Sequence, residues 1–132
     1  MQITRVVGIV VVSHSSDLAV GLAALASQMA GPEVRIEPAG GLPDGSLGTD
    51  EDRVRSAIRA ADQGSGVVVL GDLGSAILTV RHVLERHGNG HVRLVDAPIV
   101  EGAVAAAVTA SANMPLDDVA RSAEETRGAG KL

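Results

Sequence analysis

The chain opens on an apolar run. Val6 to Val12 is unbroken by any polar side chain, the pattern of a strand buried on both faces. Ser13-His14-Ser15-Ser16 ends it. Leu18, Leu22, Leu25 and Met29 then recur at helical spacing. They predict an amphipathic helix with those four side chains inward, capped by Ser15 or Ser16, with Asp17 in its first turn and Gly31-Pro32 at its end. Val34 to Glu37 alternates, as a shorter and less buried strand does, and Pro38 to Gly48 reads as a Gly/Pro-rich loop. Thr49 is placed to cap a second helix whose acidic start is Asp50-Glu51-Asp52 and whose inner stripe is Val54, Ile58 and Ala61.

The alternation continues. Val67 to Leu70 is a second fully apolar strand, and Gly71-Asp72-Leu73-Gly74-Ser75 follows it. Ser75 is positioned to cap a helix with Ile77, Val80 and Leu84 inward. Gly88-Asn89-Gly90 predicts a turn, Val92 to Val95 a strand, and Val100 to Ala112 an Ala/Val helix. A last helix starts near Pro115 with Leu116 and Val119 inward. Strand and helix alternate throughout, so the fold class is α/β: a mainly parallel open sheet of about four to five strands flanked by helices, with right-handed crossovers.

Composition narrows the function. The 132 residues suit one domain, and 45% hydrophobic residues supply a core without disulfides, of which there are none, since cysteine is absent. Aromatics are also absent, so the core must be built from small and branched aliphatics. A net charge of −5 with no basic cluster and no aromatic platform argues against nucleic acid and against anionic membrane surfaces. The N-terminal apolar stretch is too short to span a bilayer. These features fit a cytoplasmic protein. The only lysine is Lys131, so no Gly-Lys-Ser/Thr loop exists to hold nucleotide phosphates.

In an open parallel sheet, ligands bind beyond the carboxyl ends of the strands, near a reversal of strand order. Ser13-His14-Ser15-Ser16, Asp72-Leu73-Gly74-Ser75 and Ala97-Pro98-Ile99 should meet there. The Gly40 to Thr49 loop joins that rim if its strand is parallel. His14 is the candidate nucleophile. Helix-start amides and the Ser13, Ser15 and Ser16 hydroxyls could receive the oxygens of a phosphoryl group carried on its imidazole. Asp72 could bond one ring nitrogen, fix the tautomer and free the other nitrogen to attack. The plainer alternative is that His14 is a capping or surface residue and Asp72 a turn residue. His82, His87 and His91 read as exposed, with no carboxylate at a ligand spacing, so no metal site is expected.

Four segments occur in a telling order: Gly8-Ile9-Val10-Val11-Val12-Ser13-His14-Ser15, Gly48-Thr49-Asp50, Gly71-Asp72-Leu73-Gly74-Ser75-Ala76 and Ala97-Pro98-Ile99-Val100-Glu101-Gly102. Together they resemble the DhaM family, the phosphotransferase subunits of bacterial dihydroxyacetone kinases. The N-terminal domain of these proteins is similar to the IIA domains of the mannose-type sugar phosphotransferase system. The resemblance makes residues 1–126 a IIA-like phosphoryl-carrier domain and 127–132 a tail or linker start.

It implies that His14 accepts a phosphoryl group from HPr, with phosphoenolpyruvate as the indirect source. His14 would then pass the group to ADP held by the DhaL subunit, which works with DhaK on dihydroxyacetone. It implies that Asp72 hydrogen-bonds the active imidazole, that Gly40, Gly41, Thr49, Gly74, Ser75 and Pro98 form the wall of the site, and that the protein is a homodimer. No cofactor is expected on this chain. The rival within the fold is a sugar-transport IIA domain donating to a IIB protein. Outside it stands a regulatory receiver-like or small-molecule binding module, but this chain lacks the acidic pair after the first strand and the lysine near the last that a receiver wants, and it lacks the Gly-x-Ser-x-Gly elbow of a Ser-His-Asp hydrolase.

Overall fold

The computed structural model describes residues 5–88 and 90–132. Met1 to Thr4, at the start of the N-terminal apolar stretch, and Asn89, in the turn expected at Gly88-Asn89-Gly90, lie outside the described residues. The elements run β1 (Gly8–Ser13), α1 (Ser16–Ala30), β2 (Ile36–Gly40), α2 (Glu51–Ala61), β3 (Val67–Gly71), α3 (Gly74–His87), β4 (Val92–Leu94), α4 (Ile99–Ser111) and α5 (Leu116–Glu125), with a 3-10 turn over Thr126–Gly128. The four strands lie in the order β2-β1-β3-β4, and every pairing is parallel.

The sheet divides the core in two. On one face Ile9, Val11, Val68 and Leu70 meet α1, α4 and α5. On the other, Val10, Val12, Val67 and Val69 meet α2 and α3. This period-two division requires both faces of β1 and β3 to be apolar, which is why their sequences read as unbroken runs. The helices answer with alanine: Ala19, Ala23 and Ala26 from α1, and Ala103, Ala106, Ala107 and Ala110 from α4, are buried. Small side chains let each helix axis approach the branched surface of the sheet closely. Gly8 shows the same closeness at its limit, since a Cβ built there would lie 2.1 Å from the carbonyl oxygen of Ala61 at the end of α2.

Several expectations are corrected by this packing. The inward stripe of α1 is Ala19, Leu22, Ala23 and Ala26, whereas Leu18, Leu25 and Met29 are 43%, 47% and 58% exposed. Close helix–sheet packing selects alanine for the seam and turns the larger residues to its flank. In α3 the same rotation buries Ala76, Val80 and Val83 and leaves Ile77 and Leu84 half-buried. Strand β2 extends through Pro38, Ala39 and Gly40, which had read as loop. It is an edge strand paired only with β1, so a proline without an N–H is accommodated. The cap of α2 is Asp50, which accepts from Arg53 N–H at 3.0 Å, rather than Thr49. Likewise α3 starts at Gly74 with no side-chain cap, so Ser75 lies inside its first turn.

Gly8→Ala is expected to destabilise the domain, although alanine outscores glycine in intrinsic strand preference by about 0.5–1 kcal/mol. The new methyl collides with backbone that cannot rotate away, and overpacking of this kind costs about 1–3 kcal/mol or more. Thermal unfolding followed by circular dichroism should show Tm lowered by several degrees. An unchanged Tm would mean that α2 does not sit against β1 at this distance.

Candidate functional site

The order β2-β1-β3-β4 places a switch between β1 and β3. From β1 the chain leaves toward α1 on one face of the sheet, and from β3 it leaves toward α3 on the other. A crevice opens between the two departing loops. The register pairs Val12 with Gly71, and Asp72 N–H donates to the Val12 carbonyl at 3.0 Å. The residues that follow, Ser13-His14 and Asp72, are therefore held side by side by the ladder itself.

Asp72 gathers four donors. Its Oδ2 accepts from Ser13 Oγ at 2.8 Å and from His14 N–H at 3.1 Å. Its Oδ1 accepts from Leu73 N–H at 2.7 Å and from His14 Nδ1 at 2.9 Å. Partial burial pushes the Asp72 carboxyl upward, but the hydrogen bonds from Ser13, His14 and Leu73 outweigh it and hold the group below the usual carboxylate range. A carboxylate only accepts, so Nδ1 must carry the imidazole proton. That leaves Nε2 as the lone-pair nitrogen of the neutral ring. It points away from Asp72 toward the Ser75 hydroxyl, which donates to it. The His14 side chain is 24% exposed and that of Asp72 13%, so the imidazole meets solvent while the carboxylate that orients it is screened.

The predicted wall residues divide into distinct roles. Ser13 is fully buried and is no wall: its hydroxyl turns inward to Asp72 and also accepts from Ser15 N–H at 3.0 Å. Ser15 is the N-cap of α1, accepting from Leu18 N–H at 3.2 Å, and Ser16 is the exposed first residue of that helix. Because β2 is parallel, the loop after Gly40 reaches the same rim. Gly40 packs under the start of α1, where a Cβ would lie 2.5 Å from the Ser15 carbonyl oxygen. Gly41 has φ of +72° and donates to the Ser13 carbonyl at 3.3 Å. Gly74 and Ser75 open α3 beside His14. Pro98 precedes α4 on the same edge of the sheet, and no hydrogen bond ties it to the His14 cluster.

Three contributors were not anticipated. Gly48 N–H donates to the His14 carbonyl at 2.9 Å and pins the loop to that residue. Leu73 supplies its amide to Asp72. Thr79 Oγ1 donates to the Ser75 carbonyl at 3.1 Å and meets Thr49 Oγ1 at 2.7 Å, joining the loop to the helix that carries Ser75. Gly48 did carry a signal, since it stands in one of the quoted motifs. The other two act through backbone atoms or over a helical turn, which residue type does not announce. His82 and His87 lie apart, along a groove between α2 and α3, where His87 Nε2 is 3.3 Å from Arg55. Among the described residues, no three His, Cys, Asp or Glu are grouped to hold a metal ion. No described helix is long and apolar enough to cross a membrane.

Residues 8–120 match the family described as the PTS system fructose IIA component. The chain is 42% identical over 119 residues to the phosphoryl donor subunit DhaM of the PEP-dependent dihydroxyacetone kinase of Pantoea ananatis, covering 86% of this chain and 25% of that protein. It is 40% identical over 100 residues to the DhaM subunit of dihydroxyacetone kinase 1 of Listeria innocua, covering 76% and 78%. The chain thus spans about a quarter of the length of the Pantoea relative and of its 39% identical Escherichia coli counterpart. A crystal structure of a protein of unknown function superposes with a TM-score of 0.85 at 34% identity, covering 98% of this chain and 99% of the other. The chain belongs to the fructose IIA component family of the phosphotransferase system, and the curated relatives it matches there are DhaM phosphoryl donor subunits.

Proposed function

We propose that the chain is a phosphohistidine carrier that accepts a phosphoryl group from HPr on His14 Nε2 and transfers it to ADP bound in a DhaL subunit, supporting dihydroxyacetone phosphorylation by DhaK in the cytoplasm. The observation that carries this reading is the Asp72–Nδ1 bond, which leaves Nε2 unprotonated and facing outward. In the first step the N–P bond of phospho-HPr breaks as the Nε2–P bond forms. In the second, that bond breaks as the terminal phosphate of ADP attacks. Asp72 balances the charge of the ring in the phosphorylated state.

Transfer of this kind requires in-line placement and stabilised oxygens more than covalent machinery. The Ser75 hydroxyl is placed to swing from Nε2 to a phosphoryl oxygen, and the first turns of α1 and α3 present their positive ends to the same rim. No cofactor on this chain is needed: phosphoenolpyruvate is the remote source, and the nucleotide belongs to the partner. The names of the curated relatives favour this reading over donation to a IIB protein.

The proposal includes a homodimer. Its support is the layer of α1 and α4, whose sequences carry one charge each, Asp17 and Glu101. Leu25, Met29 and Val108 remain 47%, 58% and 44% exposed on that layer. An uncharged apolar face of this kind suits a copy of itself. Light scattering after gel filtration should give a dimer mass, and Leu25→Glu/Met29→Glu a monomer. A monomeric wild type would remove this element.

Incubation with phosphoenolpyruvate, enzyme I and HPr should add one acid-labile phosphoryl group, read by intact mass, to the wild type and none to His14→Ala. An unmodified wild type, or an equally modified variant, would overturn the carrier role.

Asp72→Asn should lower the rate of phosphorylation by about 10²-fold or more. The amide either turns an N–H toward Ser13 and His14 N–H, which need an acceptor, or presents it to Nδ1 and selects the wrong tautomer. The lowered Asp72 pKa also fixes a sign for stability. The contribution is present above the unfolded carboxyl value of about 3.9 and is lost as pH falls through the lower folded value. Urea midpoints of wild type and Asp72→Asn should therefore converge as pH drops below about 4. A constant gap would deny that the carboxylate is held in its charged form.

A further inference from the structure

The loop between β2 and α2 grips both residues that meet at Nε2. Gly48 N–H donates to the His14 carbonyl at 2.9 Å. The next residue, Thr49, places its Oγ1 2.7 Å from Thr79 Oγ1, and Thr79 Oγ1 donates to the Ser75 carbonyl at 3.1 Å. A hydroxyl has one proton. That of Thr79 is committed to Ser75, so Thr49 is the donor within the threonine pair. The bonds therefore run from Thr49 to Thr79 to Ser75, while the amide just before Thr49 holds His14. The side chains of Ser75 and His14 then meet each other at Nε2.

The helix that carries Ser75 does little to fix it. α3 begins at Gly74 with no side-chain cap, and Ser75 lies exposed in its first turn. A helix start without a cap leaves its first amides unpaired and frays. The bond from Thr79 to Ser75 is the back-bond a threonine makes within any helix, and alone it ties α3 to nothing else. Thr49 turns it into a tie between elements. The loop that presents Thr49 is itself anchored at both ends: Gly41 N–H donates to the Ser13 carbonyl at 3.3 Å, and Asp50 caps α2. Both threonines are half-buried, and their β-branched side chains are stiff at χ1.

Resting on the carrier reading above, we infer that Thr49 is a positioning residue for phosphoryl transfer: with Gly48 it sets the spacing between His14 and Ser75, so that the Ser75 hydroxyl reaches both Nε2 and the oxygens of a phosphoryl group bound there. During transfer the N–P bond of the donor breaks as Nε2–P forms. The Ser75 O–H turns from the Nε2 lone pair to a phosphoryl oxygen and keeps its proton. Thr49 touches none of the reacting atoms and acts through Ser75. A mere loop anchor would act through Gly48 on His14 instead, and a double-mutant cycle separates the two routes.

Thr49→Val keeps the side-chain shape and removes the hydroxyl. At saturating phospho-HPr, the limiting rate of His14 phosphorylation should fall about tenfold, the worth of one hydrogen bond to a charged group, with the half-saturating concentration unchanged. Thr79→Val should match it, and Thr49→Ser should recover most of the rate. Ser75→Ala should be slowed by a similar factor, and adding Thr49→Val to it should cost nothing further. In the unphosphorylated protein, the NMR resonance of Nε2 in Thr49→Val should move to its position in Ser75→Ala, while that of Nδ1, held by Asp72, stays. A wild-type rate in Thr49→Val or Thr79→Val, a full further loss on top of Ser75→Ala, or an unmoved Nε2 resonance would overturn the positioning role and leave the carrier reading intact. A wild type that phospho-HPr never modifies would overturn the carrier reading, and the positioning role with it.

Discussion

The carboxylate of Asp72 is the constraint on which the site depends. Four donors converge on it, two of them backbone amides fixed by the chain path and two of them side chains of consecutive residues. Such a group has no freedom to rotate without stranding a donor, and a partly buried donor left unpaired costs about 1–3 kcal/mol. The imidazole is thereby held through one nitrogen, at one angle, in one tautomer. Nothing comparable holds the other nitrogen. Ser75 belongs to an exposed first helical turn, and its hydroxyl can leave Nε2 at the cost of a single rotamer change. The site is rigid on the Nδ1 side and yielding on the Nε2 side, where the carrier role proposed above needs room for a phosphoryl group.

That arrangement traces back to strand register. Ser13 and Asp72 adjoin because β1 and β3 pair in parallel with Val12 opposite Gly71, and they open onto a crevice because the chain leaves β1 and β3 toward opposite faces. The buried, β-branched sequence of both strands leaves no register slack. A slip of one residue would carry every valine to the other face, where helices of different shape wait. Small side chains reinforce this. Gly8 and Gly40 admit α2 and the start of α1 at distances that no Cβ would permit, so the helices cannot slide to follow a shifted strand.

Much of this was legible in the chain, and the failures have a common cause. Unbroken apolar runs mark β1 and β3, and the strand-end rule then places His14 and Asp72 at one rim from the sequence alone. Hydrophobic periodicity erred where it ranked leucine above alanine: in α1 the seam belongs to Ala19, Ala23 and Ala26, because packing distance rather than transfer energy selected the inner residues. Hydroxyl chemistry erred in a similar way. Ser13, Thr49 and Ser75 were all read as generic donors or caps, yet one is buried beneath Asp72, one braces Thr79 and one faces Nε2. A serine or threonine side chain is short enough that its role is decided by tenths of an ångström of backbone position, which residue type does not encode.

The character of the rim bears on the proposed carrier role, in which a protein rather than a metabolite delivers the phosphoryl group. The groove between α2 and α3 and the hollow along the β4 edge leave His14 outside. A small phosphate ester approaching Nε2 would find no enclosing wall to replace its hydration, and it would face a border dominated by carboxylates. Both effects disfavour an anion that arrives alone. A protein donor reverses both. It brings its own low-dielectric wall, and it carries the phosphoryl group covalently, so the group need not first bind here as a free anion.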